Sequence, residues 1–172
     1  LRNLCQFLLY RLMGWRKEVT TDLPTKGIIC LAPHTSNWDF IIGLLYSRAE
    51  GIWSNFLMKR EWFFWPLGPL FRHLGGIPFG AESARQADRF MICVTPEGTR
   101  SLNPDWKKGF YFIAQKAGLP IILYAIDYEK KLIVSTKTIH PTGDVEKDMR
   151  EIKLYFKNFK GKIPEKFTIG EV

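Results

Sequence analysis

A chain of 172 residues with 46% hydrophobic and 24% charged residues has the make-up of one globular domain, and excludes a collagen, a long coiled coil and a mostly disordered protein. Three cysteines (Cys5, Cys30 and Cys93) are too few and too scattered for a disulfide framework or a zinc cluster, and fit a reducing compartment. A net charge of +8 favours anionic partners, whether nucleic acid, anionic lipid or phosphorylated small molecules, and does not choose among them.

The chain begins at Leu1 rather than Met, which fits a processed or truncated start. Leu1, Leu4, Cys5, Leu8, Leu12 and Trp15 recur at helical spacing, with Arg2, Arg11, Arg16 and Lys17 flanking the stripe. Two readings of this helix stand side by side: one lying on an anionic membrane surface, the other packed on the core. The trailing Trp15-Arg16-Lys17 favours the first, because such residues anchor at headgroup level. No stretch reaches the ~18 apolar residues of a membrane span.

Residues 26 to 32 read as a buried strand ending at Pro33, and 38 to 48 as a helix with Asn37 as N-cap. Ile52 to Met58 is a second strand candidate. Trp62 to His73 is a dense aromatic run broken by Pro66, Gly68 and Pro69, and Gly75 to Phe79 reads as a short strand or turn. Gly80 to Arg89 is polar and rich in small residues. Phe90 to Thr95 is a buried strand stopped by Pro96; Trp106 to Ala117 is a helix stopped by Gly118. Leu119 to Asp127 and Leu132 to Lys137 read as strands of a hairpin, and Asp144 to Phe159 as a helix with Val145, Met149, Ile152 and Phe156 on one face. Strands alternating with helices predict an α/β fold around a largely parallel sheet.

Two clusters can carry chemistry. His34 and Asp39 follow the first buried strand, where sites collect in open α/β sheets. A histidine there can act as general base, and a carboxylate can fix its tautomer and support the imidazolium. This works if His34 lies in the turn and Asp39 in the first turn of the helix. The pair alone fits better a surface histidine beside an unrelated acid favoured by the helix dipole. Glu97, Gly98, Thr99 and Arg100 follow the strand ending at Pro96. Gly98 permits a tight turn, and Arg100 offers a planar fork suited to phosphate; a polar turn with a local Glu–Arg pair is the other reading. The three histidines (His34, His73 and His140) are not at metal-ligand spacing, and no nucleotide loop, dinucleotide fingerprint or serine elbow is present.

Taken in order, these segments resemble the glycerophospholipid acyltransferases, the family of lysophosphatidic acid acyltransferase. Its first motif, His, four residues, then Asp, is matched by His34 and Asp39. Its third, Pro-Glu-Gly-Thr-Arg, is matched in full by Pro96 to Arg100. Its second is matched by Gly75 to Phe79, with Lys59-Arg60-Glu61 and Pro66-Leu67-Gly68 leading into it, and its fourth by Pro120 and the apolar strand that follows. The second motif departs: where the family closes it with an arginine, this chain has Gly80, Ala81 and Glu82, and Arg85 is the nearest arginine. The interval from Gly76 to Glu97 is also shorter than the family's.

Pattern and resemblance together predict a single-domain mixed α/β fold with a largely parallel sheet flanked by helices: an acyltransferase domain over 21–172, preceded by an N-terminal amphipathic helix over residues 1–20 that its spacing and flanking cations read as membrane-associating. The resemblance implies His34 and Asp39 as the catalytic pair and Glu97, Gly98, Thr99 and Arg100 as the substrate-binding group, with no metal and no cofactor. The donor would be acyl-CoA or acyl carrier protein, the acceptor a lysophospholipid, and the location the cytoplasmic face of a membrane, held peripherally. The aromatic run from Trp62 to Phe71 would supply apolar surface for the acyl chain, or plain core. A catalytically silent lipid-binding module of the same fold is the alternative; a His34 unpaired with Asp39 would favour it. A nucleic-acid partner is not expected, because the basic residues are scattered and most aromatics lie in apolar runs.

Overall fold

The computed structural model describes residues 1–56 and 88–172. The aromatic run Trp62 to His73, the second-motif segment Gly75 to Phe79, Arg85 and most of Gly80 to Arg89 lie outside the described residues.

Among the described residues, six strands form one sheet. They are β1 (Arg16–Val19), β2 (Lys26–Ala32), β3 (Asn55–Phe56), β4 (Phe90–Val94), β5 (Ile121–Asp127) and β6 (Leu132–Ile139), in the order β1-β6-β5-β2-β4-β3. All neighbours are parallel except the β5–β6 pair, the expected hairpin. The helices are α1 (Arg2–Gln6, continued as a π-helix over Phe7–Leu12), α2 (Asn37–Glu50), α3 (Gly109–Ala117) and α4 (Val145–Phe156).

The central strands carry near-continuous apolar runs because helices cover both faces of the sheet. Alternate residues of one strand therefore enter different cores. Ile28, Cys30, Ile92, Val94, Ile121 and Leu123 pack with Phe110 and Tyr111 of α3 and Met149, Ile152 and Phe156 of α4. Ile29, Met91, Ile122, Tyr124 and Ile126 pack with Cys5 and Leu9 of the N-terminal helix and Ile42, Tyr46 and Ala49 of α2. All seven residues of β5 are buried, as a strand at the centre of two cores requires.

Three expectations need correction. The helix predicted over residues 1–20 ends at Leu12, and Arg16–Val19 form an edge strand paired with β6. The break is at Gly14, whose φ of +71° turns the chain out of the helix. The N-cap of α2 is Ser36 rather than Asn37, because the Ser36 side chain accepts from the Trp38 N–H and forms a capping box with Asp39. The helix read from Trp106 begins at Gly109. There the Trp106 indole N–H instead donates to the Thr168 carbonyl at 3.0 Å, tying the loop to the C-terminal segment.

Candidate active site

Parallel strands β4, β2 and β5 are adjacent, so the loops leaving their carboxyl ends emerge side by side. The loop after β2 carries His34, the loop after β4 carries Glu97, and β5 ends at Asp127 with Tyr128 next.

His34 lies in the turn and Asp39 in the first turn of α2, at the N3 position. Their side chains meet, with His34 Nδ1 3.1 Å from Asp39 Oδ2. That same oxygen accepts the backbone N–H of Thr35 at 2.8 Å and of Ser36 at 2.9 Å. Asp39 is fully buried, whereas the His34 side chain is 20% exposed. A buried carboxylate holding two amide donors is an acceptor toward the imidazole. It places the His34 proton on Nδ1 and leaves the Nε2 lone pair free to take a proton. One acid thus closes the helix N-terminus and orients the histidine.

Glu97 does not face solvent. It is 3% exposed, and its Oε1 accepts the backbone N–H of His34 at 2.8 Å. The local Glu–Arg reading of this turn gives way to a contact 63 residues away in sequence. Burial pushes the Glu97 carboxyl up to about 7, with the Asp39 charge adding in the same direction; the His34 N–H and the nearby His34 ring oppose it. Glu97 Oε2 and Asp39 Oδ1 are buried without a direct hydrogen-bond partner among the described residues.

Gly98 has a φ of +67°, and a Cβ there would come within 3.1 Å of the Lys107 side chain, so the turn requires glycine. The Asn103 side chain donates to the Glu97 carbonyl at 2.8 Å and the Lys107 N–H to the Pro96 carbonyl at 2.7 Å, closing the loop on itself. Thr99 and Arg100 stand exposed on this loop. The six residues read from the sequence therefore divide: His34, Asp39 and Glu97 form one bonded cluster, and Gly98, Thr99 and Arg100 form an exposed rim on the loop that carries Glu97.

A chain of 172 residues with this pair, in this order with the Pro96 to Arg100 loop, matches the family model described as Acyltransferase over residues 16–127, more than half of its length. The chain belongs to the acyltransferase family that contains the glycerophospholipid acyltransferases. The match runs from β1 through β5 and includes every residue of the cluster and rim. No curated protein matches the chain.

Three residues around this candidate site were not read from the sequence. Ser36 caps α2, and the spacing Ser36-x-x-Asp39 ahead of an apolar run is the signal that finds it. Tyr128 has a buried hydroxyl whose ionisation is pushed up by burial and by the Asp39 carboxylate. Gly161 packs on the loop that holds His34. Neither of the last two has a local sequence signal. Beside Asp39 on the α2 face of the sheet lies a cavity of about 170 Å³ lined by Ile29, Leu31, Phe40, Leu44, Ile52 and Trp53, among others. Among the described residues no group of His, Cys, Asp and Glu has the arrangement of a metal site.

Proposed function

We propose that this acyltransferase moves a fatty acyl group from an acyl thioester, acyl-CoA or acyl carrier protein, to a hydroxyl of a lysophospholipid, with 1-acyl-sn-glycerol-3-phosphate as the acceptor, in phospholipid biosynthesis. The observation that carries the mechanism is the bond between His34 Nδ1 and Asp39 Oδ2, which leaves Nε2 on a partly exposed ring. His34 Nε2 takes the acceptor's proton as its oxygen attacks the thioester carbonyl. The new C–O bond forms, the C–S bond breaks, and His34 returns the proton to the departing thiolate. Asp39 holds the ring and supports its charged form. Glu97 fixes the backbone that carries it. Arg100, with Thr99 and the Gly98 turn, meets the acceptor phosphate through a planar fork.

The apolar cavity beside Asp39 supports a place for the acyl chain. Membrane contact is supported by the N-terminal helix, where Leu1, Leu4, Phe7 and Leu12 are exposed beside Arg2 and Arg11. No helix among the described residues is long and apolar enough to cross a membrane. The exposed apolar residues of this helix and the basic charge of the chain support a protein held peripherally at the anionic, cytoplasmic face of a membrane. The pairing of His34 with Asp39 weighs against a catalytically silent module of the same fold.

The test is thiol release from long-chain acyl-CoA and from acylated carrier protein, in lipid vesicles, with lysophosphatidic acid, other lysolipids or no acceptor. Release that requires lysophosphatidic acid is the expected result. Release without any acceptor would instead identify a thioesterase, and release only with another lysolipid would replace the acceptor.

A further inference from the structure

We propose that Gly161 is a positioning residue for the His34–Asp39 pair, acting through Thr35. This rests on the reading that the pair carries the transfer. Residue 161 lies well beyond the family match, which ends at 127, so the support comes from a part of the chain that the family pattern does not describe.

The C-terminal segment returns to the carboxyl end of the central strands, where the Tyr128 N–H donates to the Lys160 carbonyl at 2.9 Å. The next residue, Gly161, is buried against the two neighbours of His34 in sequence. A Cβ at Gly161 would lie 2.7 Å from Thr35 Oγ1, 2.8 Å from Thr35 Cγ2 and 3.1 Å from Pro33 Cβ. No positive φ is involved; glycine is needed here for space. Two residues on, the Ile163 N–H donates to Thr35 Oγ1 at 3.2 Å. Between them, the Lys162 ammonium sits 4.5 Å from the centre of the Trp38 ring, next to Asp39. The segment therefore holds the loop on both sides of the histidine and at the residue before the acid.

The connection to chemistry is one peptide group. The backbone N–H of Thr35 is bonded to Asp39 Oδ2, the oxygen that meets His34 Nδ1. A side chain at 161 must push Thr35 or Pro33 aside, and either movement displaces that N–H or the His34 backbone. The ring then loses its aim while the exposed rim at Thr99 and Arg100 is untouched. A misplacement of about 1 Å in a catalytic group costs on the order of 10²-fold in rate.

The test uses the full chain in vesicles, with acyl-CoA and lysophosphatidic acid. Gly161→Ala is expected to lower kcat by roughly 10²-fold with KM for both substrates unchanged. Thr35→Ala removes the two atoms under 3.0 Å and leaves only Pro33 Cβ, at 3.1 Å, close to the new methyl. In that background Gly161→Ala is expected to change kcat by less than about two-fold, the non-additivity of residues in direct contact. Thr35→Val, which keeps the branched shape and removes the acceptor of the Ile163 N–H, is expected to lower kcat alone, and it carries the test should Gly161→Ala not fold. Wild-type kcat in Gly161→Ala, an equal loss in both backgrounds, or wild-type kcat in Thr35→Val would overturn the proposal. His34→Ala, measured alongside, separates the two levels: if it abolishes transfer while Gly161→Ala does not slow it, only the positioning role fails. If His34→Ala keeps full activity, the reading of the pair fails first.

Discussion

Glu97 is held in a contest between burial, which favours its neutral form, and the His34 N–H, which favours its charge. Burial prevails, and the folded carboxyl titrates at about 7 against an ordinary 4.5. Between those values the folded protein binds a proton that the unfolded chain has released, so stability falls as pH rises. The contribution is complete below 4.5 and lost on passing 7, a change of about 3 kcal/mol. Glu97→Gln keeps an acceptor for the His34 N–H and removes the titration. Urea midpoints from pH 4 to 8 should therefore be flatter in the variant than in wild type, and identical slopes would show that Glu97 ionises normally. His34 and Asp39 were legible in the sequence because they stand five residues apart, one in the turn after β2 and one in the first turn of α2, which is a local spacing. The Glu97 contact was not, because it depends on the β2–β4 register, which sets Cys30 against Val94 and so brings two loops together.

At the scale of elements, α2 is the helix on which the site depends, and its first turn is fixed by Ser36 and Asp39 together. Ser36→Ala removes the side-chain acceptor for Trp38 N–H and should cost about 1 kcal/mol of stability by denaturant titration. No measurable change would mean that Asp39 alone secures the helix start. The strands β2, β4 and β5 were readable as apolar runs closed by proline or polar residues, and α4 by its period, with Met149, Ile152 and Phe156 buried as read. Edge strand β1 was not. Its sequence Arg16-Lys17-Glu18-Val19 is charged and largely exposed, and pairing with β6 rather than any apolar pattern makes it a strand. The first helix was readable by period, but its end followed from backbone geometry at Gly14.

Across the whole molecule, the sheet separates two tasks: α3 and α4 build the core on one face, while α1 and α2 cover the face that holds the cavity beside Asp39. The exposed Leu4, Phe7 and Leu12 with nearby arginines lie on that same covering layer. Binding to vesicles containing anionic lipid should be weakened by Phe7→Glu and by added salt, read by sedimentation. Equal binding of wild type and variant would remove this helix from the membrane contact. The α/β class and the order of most elements followed from alternating strands and helices. The closure of the C-terminal segment on Thr35 did not, because a glycine that serves by leaving space looks in sequence like any other glycine. The central claim is that His34, aimed by Asp39, is the general base of acyl transfer. It is tested most directly by the rate at which labelled acyl groups pass from acyl-CoA to lysophosphatidic acid in wild type, His34→Ala and Asp39→Asn. An amide at 39 would face His34 Nδ1 with a donor and favour the wrong tautomer, so a loss on the order of 10⁴-fold is expected there, with a comparable loss for His34→Ala and an intact fold in both. Transfer by His34→Ala within about ten-fold of wild type would contradict the account, because general-base catalysis alone is worth at least ~10²-fold.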